Sequence, residues 1–153
     1  MAKPKIKPLA NSDHVMRYIA PGRQMRDFST DALVGIFPAA FELREVDQGA
    51  LSVTWIEYFG GRSASHCAKA AAQIQKSFKK SKASQVFAIG NVGAIKESGN
   101  KDKCAVRVSH EPTANNPAHS SIRRFTNENE YLLSLLASEV FTDLRDANGN
   151  IAK

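Results

Sequence analysis

Apolar positions along this chain recur with period two in some stretches and with helical spacing in others, and the two kinds come in groups. Residues 14–19 alternate as a strand does. Val15, Arg17 and Ile19 fall on one face, and His14, Met16 and Tyr18 on the other. Pro21-Gly22 ends that run. The clearest strand covers 51–59, where Leu51, Val53, Trp55 and Phe59 point one way and Ser52, Thr54, Ile56 and Tyr58 the other. Gly60-Gly61-Arg62-Ser63 then turns the chain into a helix over 65–79. Cys67, Ala71, Ile74 and Phe78 form its apolar side, and Lys69, Gln73, Lys76 and Lys80 line the opposite one.

Residues 84–95 and 104–109 read as two strands, joined as a hairpin by the polar run 96–103. Asn127, with Glu130 three residues on, has the spacing of a capping box. It opens a last helix on Leu132, Leu135, Leu136, Val140 and Leu144. Ser29-Thr30-Asp31 caps a short helical turn that Gly35 stops. Pro38 makes 36–43 an edge strand or an irregular packing segment. Strands grouped between two helices, without βαβ alternation, predict an α+β domain: a mostly antiparallel sheet with two main helices packed on one face.

Length sets the domain count. At 153 residues the chain is one domain's worth. Such a chain buries roughly 70% of its extended surface without help from disulfides or metal. Pro4 and Pro8 make 1–12 a flexible basic lead-in, 13–147 the single domain, and 148–153, with Asn148-Gly149-Asn150, a loose end. Cys67 and Cys104 stand apart with no paired spacing, which reads as two buried thiols, a single disulfide between them staying open. No run of 18 apolar residues is present, and the N-terminus lacks the apolar stretch of a signal peptide, so the expected location is cytoplasmic.

Charge changes the picture more than composition does. The net charge is +6, from 21 basic and 15 acidic side chains. Between Tyr58 and Lys96 there is no Asp or Glu, yet Arg62, Lys69, Lys76, Lys79, Lys80, Lys82 and Lys96 all fall there. From Thr126 to Asp146 the balance reverses, with Glu128, Glu130, Glu139, Asp143 and Asp146 against Arg145. This segregation favours anionic partners on the basic side. A basic helix balanced by an acidic neighbour is the structural alternative.

Four groups carry candidate chemistry. Gly60, Gly61, Arg62 and Ser63 open the long helix, where free N–H groups, close backbone approach and a guanidinium suit a phosphate. The same residues also serve a plain strand-to-helix turn. His110 and His119, with Glu111, flank an Asn/Pro loop and fit acid–base work on a phosphodiester, or else brace that loop by hydrogen bonds. Arg17 lies among apolar neighbours beside His14. A buried arginine needs a carboxylate or a bound anion, and Glu57 is its natural partner. Lys69, Lys76 and Lys80 form a stripe that phosphate backbones would neutralise. No P-loop is present, and neither a metal nor a cofactor is called for by any spacing.

His14 and Arg17 on one strand, with Ser52-Val53-Thr54 on another, resemble mono-ADP-ribosyltransferases, which place a basic residue on one strand and Ser-x-Ser/Thr on a second. The glutamate motif of those enzymes has no counterpart here. The phrases His14-Val15-Met16-Arg17-Tyr18, Pro38-Ala39-Ala40-Phe41-Glu42-Leu43-Arg44, Leu51-Ser52-Val53-Thr54-Trp55-Ile56-Glu57 and Asn116-Pro117-Ala118-His119 are similar to those of bacterial proteins of unassigned function.

Three readings follow. The first is a cytoplasmic protein binding a phosphate-bearing partner, nucleic acid foremost, through Arg62, Lys69, Lys76 and Lys80. The second is an enzyme on a nucleotide or phosphodiester, with His110 and His119 as acid and base. The third is an interaction module of a toxin–antitoxin or phage-defence system, docking a protein through its acidic C-terminal helix.

Overall fold

The computed structural model describes residues 6–76 and 85–153. Its strands are β1 (Lys7–Pro8), β2 (His14–Ile19), β3 (Gln24–Arg26), β4 (Leu33–Ile36), β5 (Leu51–Trp55), β6 (Val86–Asn91), β7 (Arg107–His110), β8 (His119–Arg123) and β9 (Asp143–Arg145). Its helices are α1 (Ala64–Gln75), α2 (Val92–Lys101) and α3 (Glu130–Leu135), the last continued by a π turn, Leu136–Val140. Seven strands form one antiparallel sheet in the order β1-β7-β8-β5-β2-β6-β9, while β3 and β4 make a separate ribbon. The molecule is thus an α+β domain built on a largely antiparallel sheet.

Alternation along the central strands decides where the helices go. In β2, Val15 and Ile19 join the larger apolar cluster, and Met16 joins a smaller one on the other face. In β6, Val86 and Ala88 join the first, and Phe87 and Ile89 the second. Helix α1 seals the smaller cluster with Cys67, Ala70 and Ala71. Helices α2 and α3 seal the larger one with Val92, Ile95, Leu132 and Leu133, joined by Leu136 of the π turn. The two long helices expected on one face therefore lie on opposite faces. The reason is that β6 is apolar on both sides, and a strand buried on both sides needs a cover on each.

Residues 96–103 were expected to join two strands as a hairpin, and 96–101 instead belong to α2, with 102 and 103 in the turn that follows it. Asn91 caps this helix, its Oδ1 accepting from Ala94 N–H at 2.9 Å. Val92, Ile95 and Gly99 then bury one side at helical spacing. Gly99 carries no Cβ because one would lie 2.5 Å from the Cys104 carbonyl. Strands β6 and β7 are accordingly not neighbours. The last helix also begins differently: Asn127 spends its amide on both backbone groups of Leu43, so it caps nothing. Leu144 belongs not to this helix but to β9, opposite Ala88.

Smaller expectations shift as well. The strand expected over 51–59 stops at Trp55 and gives way to a 3₁₀ turn, Glu57–Phe59. Residues 29–31 lie in the loop of the β3–β4 ribbon, held by Asp27 Oδ1, which accepts from Ser29 and Thr30 N–H at 2.9 Å each. The lead-in is ordered from its sixth residue: β1 pairs with β7, and Leu9 is buried. Residues 1–5 lie outside the described part. The C-terminal end is tied down too, since Ala152 N–H donates to Leu144 C=O at 2.9 Å. Both cysteines are free thiols, Cys67 in the cluster under α1 and Cys104 against the cluster on the other face. No helix among the described residues is long and apolar enough to cross a membrane.

Candidate functional site

On the face of the sheet that α1 covers, β5, β8 and β7 carry polar side chains, with Ser52 exposed, His119 half-buried and Thr54, Ser109 and Ser121 buried. Cross-strand pairs share a face, and the register Ser52–Ser121, Thr54–His119 and Ser109–Ser121 sets these five residues side by side across β5, β8 and β7. At the edge of this surface β2 and β5 part company. They pair only at Val15–Trp55 and Met16–Thr54. Arg17 enters the opening, donating Nη1–H to the Ser52 carbonyl at 2.8 Å and Nε–H to the Ala40 carbonyl at 2.9 Å. Two backbone acceptors left without a ladder are thereby satisfied.

Above this opening lies a cleft of about 750 Å³, within the range of small-molecule sites. Arg17, Arg23 and Arg44 line it, as do Ser52, Thr54, Asn116 and His119, with Glu42 as its one lining carboxylate. Arg44 is paired with Asp47 at 3.0 Å. Arg17 makes no ion pair among the described residues. Burial pushes its pKa down to about 10, partly offset by the field of Asp47, so it stays a cation at neutral pH. Glu57, its expected partner, instead accepts from His14, on the other side of β2. His14 Nδ1–H donates to Glu57 Oε2 at 2.7 Å, and His14 Nε2 accepts from Arg62 Nη1–H at 2.9 Å. His14 and Arg17 thus share a strand but not a pocket.

His119 is held from both ring nitrogens. Its Nδ1 lies 2.9 Å from the Glu111 carbonyl, which only accepts, so Nδ1 carries the proton. Its Nε2 is then an acceptor, 2.6 Å from the exposed Ser52 hydroxyl. The Glu111 carboxylate forms a fork with Arg123, at 2.8 Å to Nε and 2.7 Å to Nη2. Glu111 N–H also donates to His119 C=O at 2.9 Å. Glu111 therefore orients His119 and is not placed to exchange a proton itself.

His110 goes elsewhere. It pairs with Ser120, which alternates with His119 along β8, so the two imidazoles project from opposite faces of the sheet. His110 Nε2–H donates to the Pro117 carbonyl at 2.7 Å, and its ring packs on Trp55 at 5.1 Å. It braces the 111–117 loop, and no single reacting atom can touch both histidines. The acid–base pair expected from the sequence is not formed.

The helix N-terminus likewise satisfies itself. Ser63 Oγ lies 3.4 Å from His66 N–H and 2.7 Å from His66 Nδ1, while Ser63 N–H donates to Nδ1 at 3.1 Å. Gly60 adopts φ +109°, and a Cβ on Gly61 would lie 2.9 Å from the His66 ring. These glycines serve the strand-to-helix turn, and Arg62 is taken up by His14. Lys69 and Lys76 are exposed on α1, on the face of the sheet away from the exposed Glu128, Glu130 and Glu139. Lys79, Lys80, Lys82 and Phe78 lie outside the described residues.

Ser52 is the residue that sequence reasoning passed over as a partner of His119. Its only signal was strand alternation; the pairing itself spans 67 positions and requires the β5–β8 register.

The Arg123–Glu111 fork sets a pH dependence. The Arg123 hydrogen bonds hold the Glu111 carboxyl below its ordinary value, against the opposing effect of burial. The folded state then binds this proton less readily than the unfolded chain, so the fork stabilises above about pH 4.5 and its contribution fades as pH falls through the lowered value. Arg123 is 41% exposed, which limits the effect at pH 7 to roughly 1 kcal/mol. Unfolding free energies of wild type and Glu111→Gln from urea melts should differ by that amount at pH 7, and the gap should shrink as pH falls below about 4.5. A gap unchanged at pH 3 would mean the carboxylate is not the source.

What fold and cleft define together is an antiparallel α+β domain with an arginine-lined opening beside a Ser–His pair. Comparison with protein-family models, with curated proteins and with solved structures found no match.

Proposed function

We propose that this protein binds a phosphate-bearing ligand in the cleft between β2 and β5, with Arg17 as the anchoring cation. One observation carries the reading: a guanidinium lodged between two strands, spent on two carbonyls and lacking a carboxylate counter-ion among the described residues. A partly desolvated cation gains most from an anion that brings its own hydrogen-bond acceptors, and the planar fork matches phosphate oxygens. The net charge of +6 draws such ligands in. A second cavity, of about 960 Å³, supports this less, because its Arg26 is engaged by Gln24 and by the Asp31 and Lys153 carbonyls, and Asp31 and Asp146 also line it.

A nucleotide unit presents a phosphoryl group either way, as a monoester when free and as a diester within a strand. Ile74 of α1 lines the cleft, and the same helix carries exposed Lys69 and Lys76 on its solvent side, so a single strand that leaves the cleft and passes over α1 would meet these cations. Titration with a nucleoside monophosphate and with a short single-stranded oligonucleotide, followed by amide NMR, separates the two sources. Shifts at Ser52, Asn116 and His119 are expected with both. Tighter, salt-dependent binding of the oligonucleotide, flattened by Lys69→Ala with Lys76→Ala, marks nucleic acid as the partner. No binding of either probe at low salt, or shifts confined to α1, would refute the cleft as the site.

A further inference from the structure

We propose that Ser52 is a nucleophile toward phosphorus and His119 its general base, making the cleft a phosphodiester-hydrolysing site. This rests on the reading of the cleft as a phosphate site. A serine hydroxyl is a weak nucleophile until a base removes its proton as the bond forms. The base must be within hydrogen-bond reach with its acceptor nitrogen facing the hydroxyl, and Nε2 of His119 is, at 2.6 Å.

That tautomer is not left to chance. The Glu111 carbonyl accepts a hydrogen bond from Nδ1–H, the Glu111 N–H donates to the His119 carbonyl, and Arg123 clamps the Glu111 side chain. Ser52 is exposed where it meets the cleft, whereas its strand neighbours Leu51, Val53 and Thr54 are buried. Arg17 lines the same cleft and donates to the backbone carbonyl of that serine, which places a cation in the site. Phosphoryl transfer needs positioning and charge neutralisation more than covalent chemistry from the protein, and this grouping supplies both.

Ser52 Oγ attacks the phosphorus of a phosphodiester, and its proton passes to His119 Nε2. The bond from phosphorus to one ester oxygen breaks, and the departing alkoxide takes that proton, leaving as an alcohol. Water then attacks the phosphoserine diester, giving its proton to Nε2, and the Ser52–phosphorus bond breaks to release a phosphate monoester. Ser52 regains the proton from His119. No metal or redox partner takes part in this sequence.

The test uses the full chain and a fluorophosphonate, which is attacked at phosphorus and loses fluoride. One adduct on wild type, mapped by mass spectrometry to Ser52 in preference to the other serines, is expected. His119→Gln should slow labelling at least about a hundredfold, the scale of a lost general base. Bis(p-nitrophenyl) phosphate should release p-nitrophenolate with wild type and not with Ser52→Ala. Absent labelling of folded wild type, or equal labelling rates with and without the imidazole, overturns the nucleophile. Nucleoside monophosphate binding is measured on the same wild-type chain, so a chain that binds but is not labelled fails here alone. A chain that is labelled at Ser52 but binds no phosphate probe fails the cleft reading instead.

Discussion

Replacing Arg17 by methionine should abolish most phosphate binding, by more than tenfold in affinity, while changing folding stability by less than about 2 kcal/mol. Two effects on stability oppose each other. Methionine leaves the part-buried Ala40 carbonyl and the exposed Ser52 carbonyl without their donors; a buried acceptor left unpaired costs about 1–3 kcal/mol, and one that water reaches costs less. It also removes a cation that burial disfavours strongly enough to bring its pKa down to about 10. Exchanging a buried charge for an apolar group of similar length is often neutral for that reason. Ligand binding has no such offset, because among the described residues no other cleft arginine hydrogen-bonds to Ser52. Calorimetric titration with a nucleoside monophosphate, beside a thermal melt, reads both quantities. A stable variant that still binds at wild-type affinity would remove Arg17 from the site. Arg17→Lys should recover charge but not the two-pronged contact, and so restore binding only in part.

Phe141→Ala should cost about 3–5 kcal/mol, the largest single loss expected in the core. The ring is fully buried, lies 4.8 Å from the Phe41 ring, and occupies the space a side chain at position 90 would need. A Cβ on Gly90 would lie 2.9 Å from its ring carbons, so Gly90→Ala should overpack the same spot, at roughly 1–3 kcal/mol. The two sites are one packing unit. Combining Gly90→Ala with Phe141→Leu should therefore cost less than the sum of the single changes, by at least about 0.5 kcal/mol. Urea unfolding of the three variants measures this. Strict additivity would show that Gly90 is not bare to admit the ring.

Helix α1, strand β2 and the last helix could be read from alternation and helical spacing because each buries residues close together in sequence. Helix α2 could not. Its outward side is polar enough to look like a loop, and its inward side is Val92, Ile95 and Gly99 at a spacing that only burial makes meaningful. His110 and His119 looked like a pair because they are near each other along the chain, but parity on adjacent strands sends them to opposite faces. Ser52 and His119 did not look like a pair, being 67 positions apart.

Local pattern by itself determined the α+β class, the antiparallel tendency and the basic bias, since these follow from which residue types recur at which period. Tertiary structure alone decided which polar groups meet. Strand order brought β8 beside β5, and the parting of β2 from β5 made room for Arg17. Hydrogen bonds act over about 3 Å, so a site assembled across strands exists only once register and face are set.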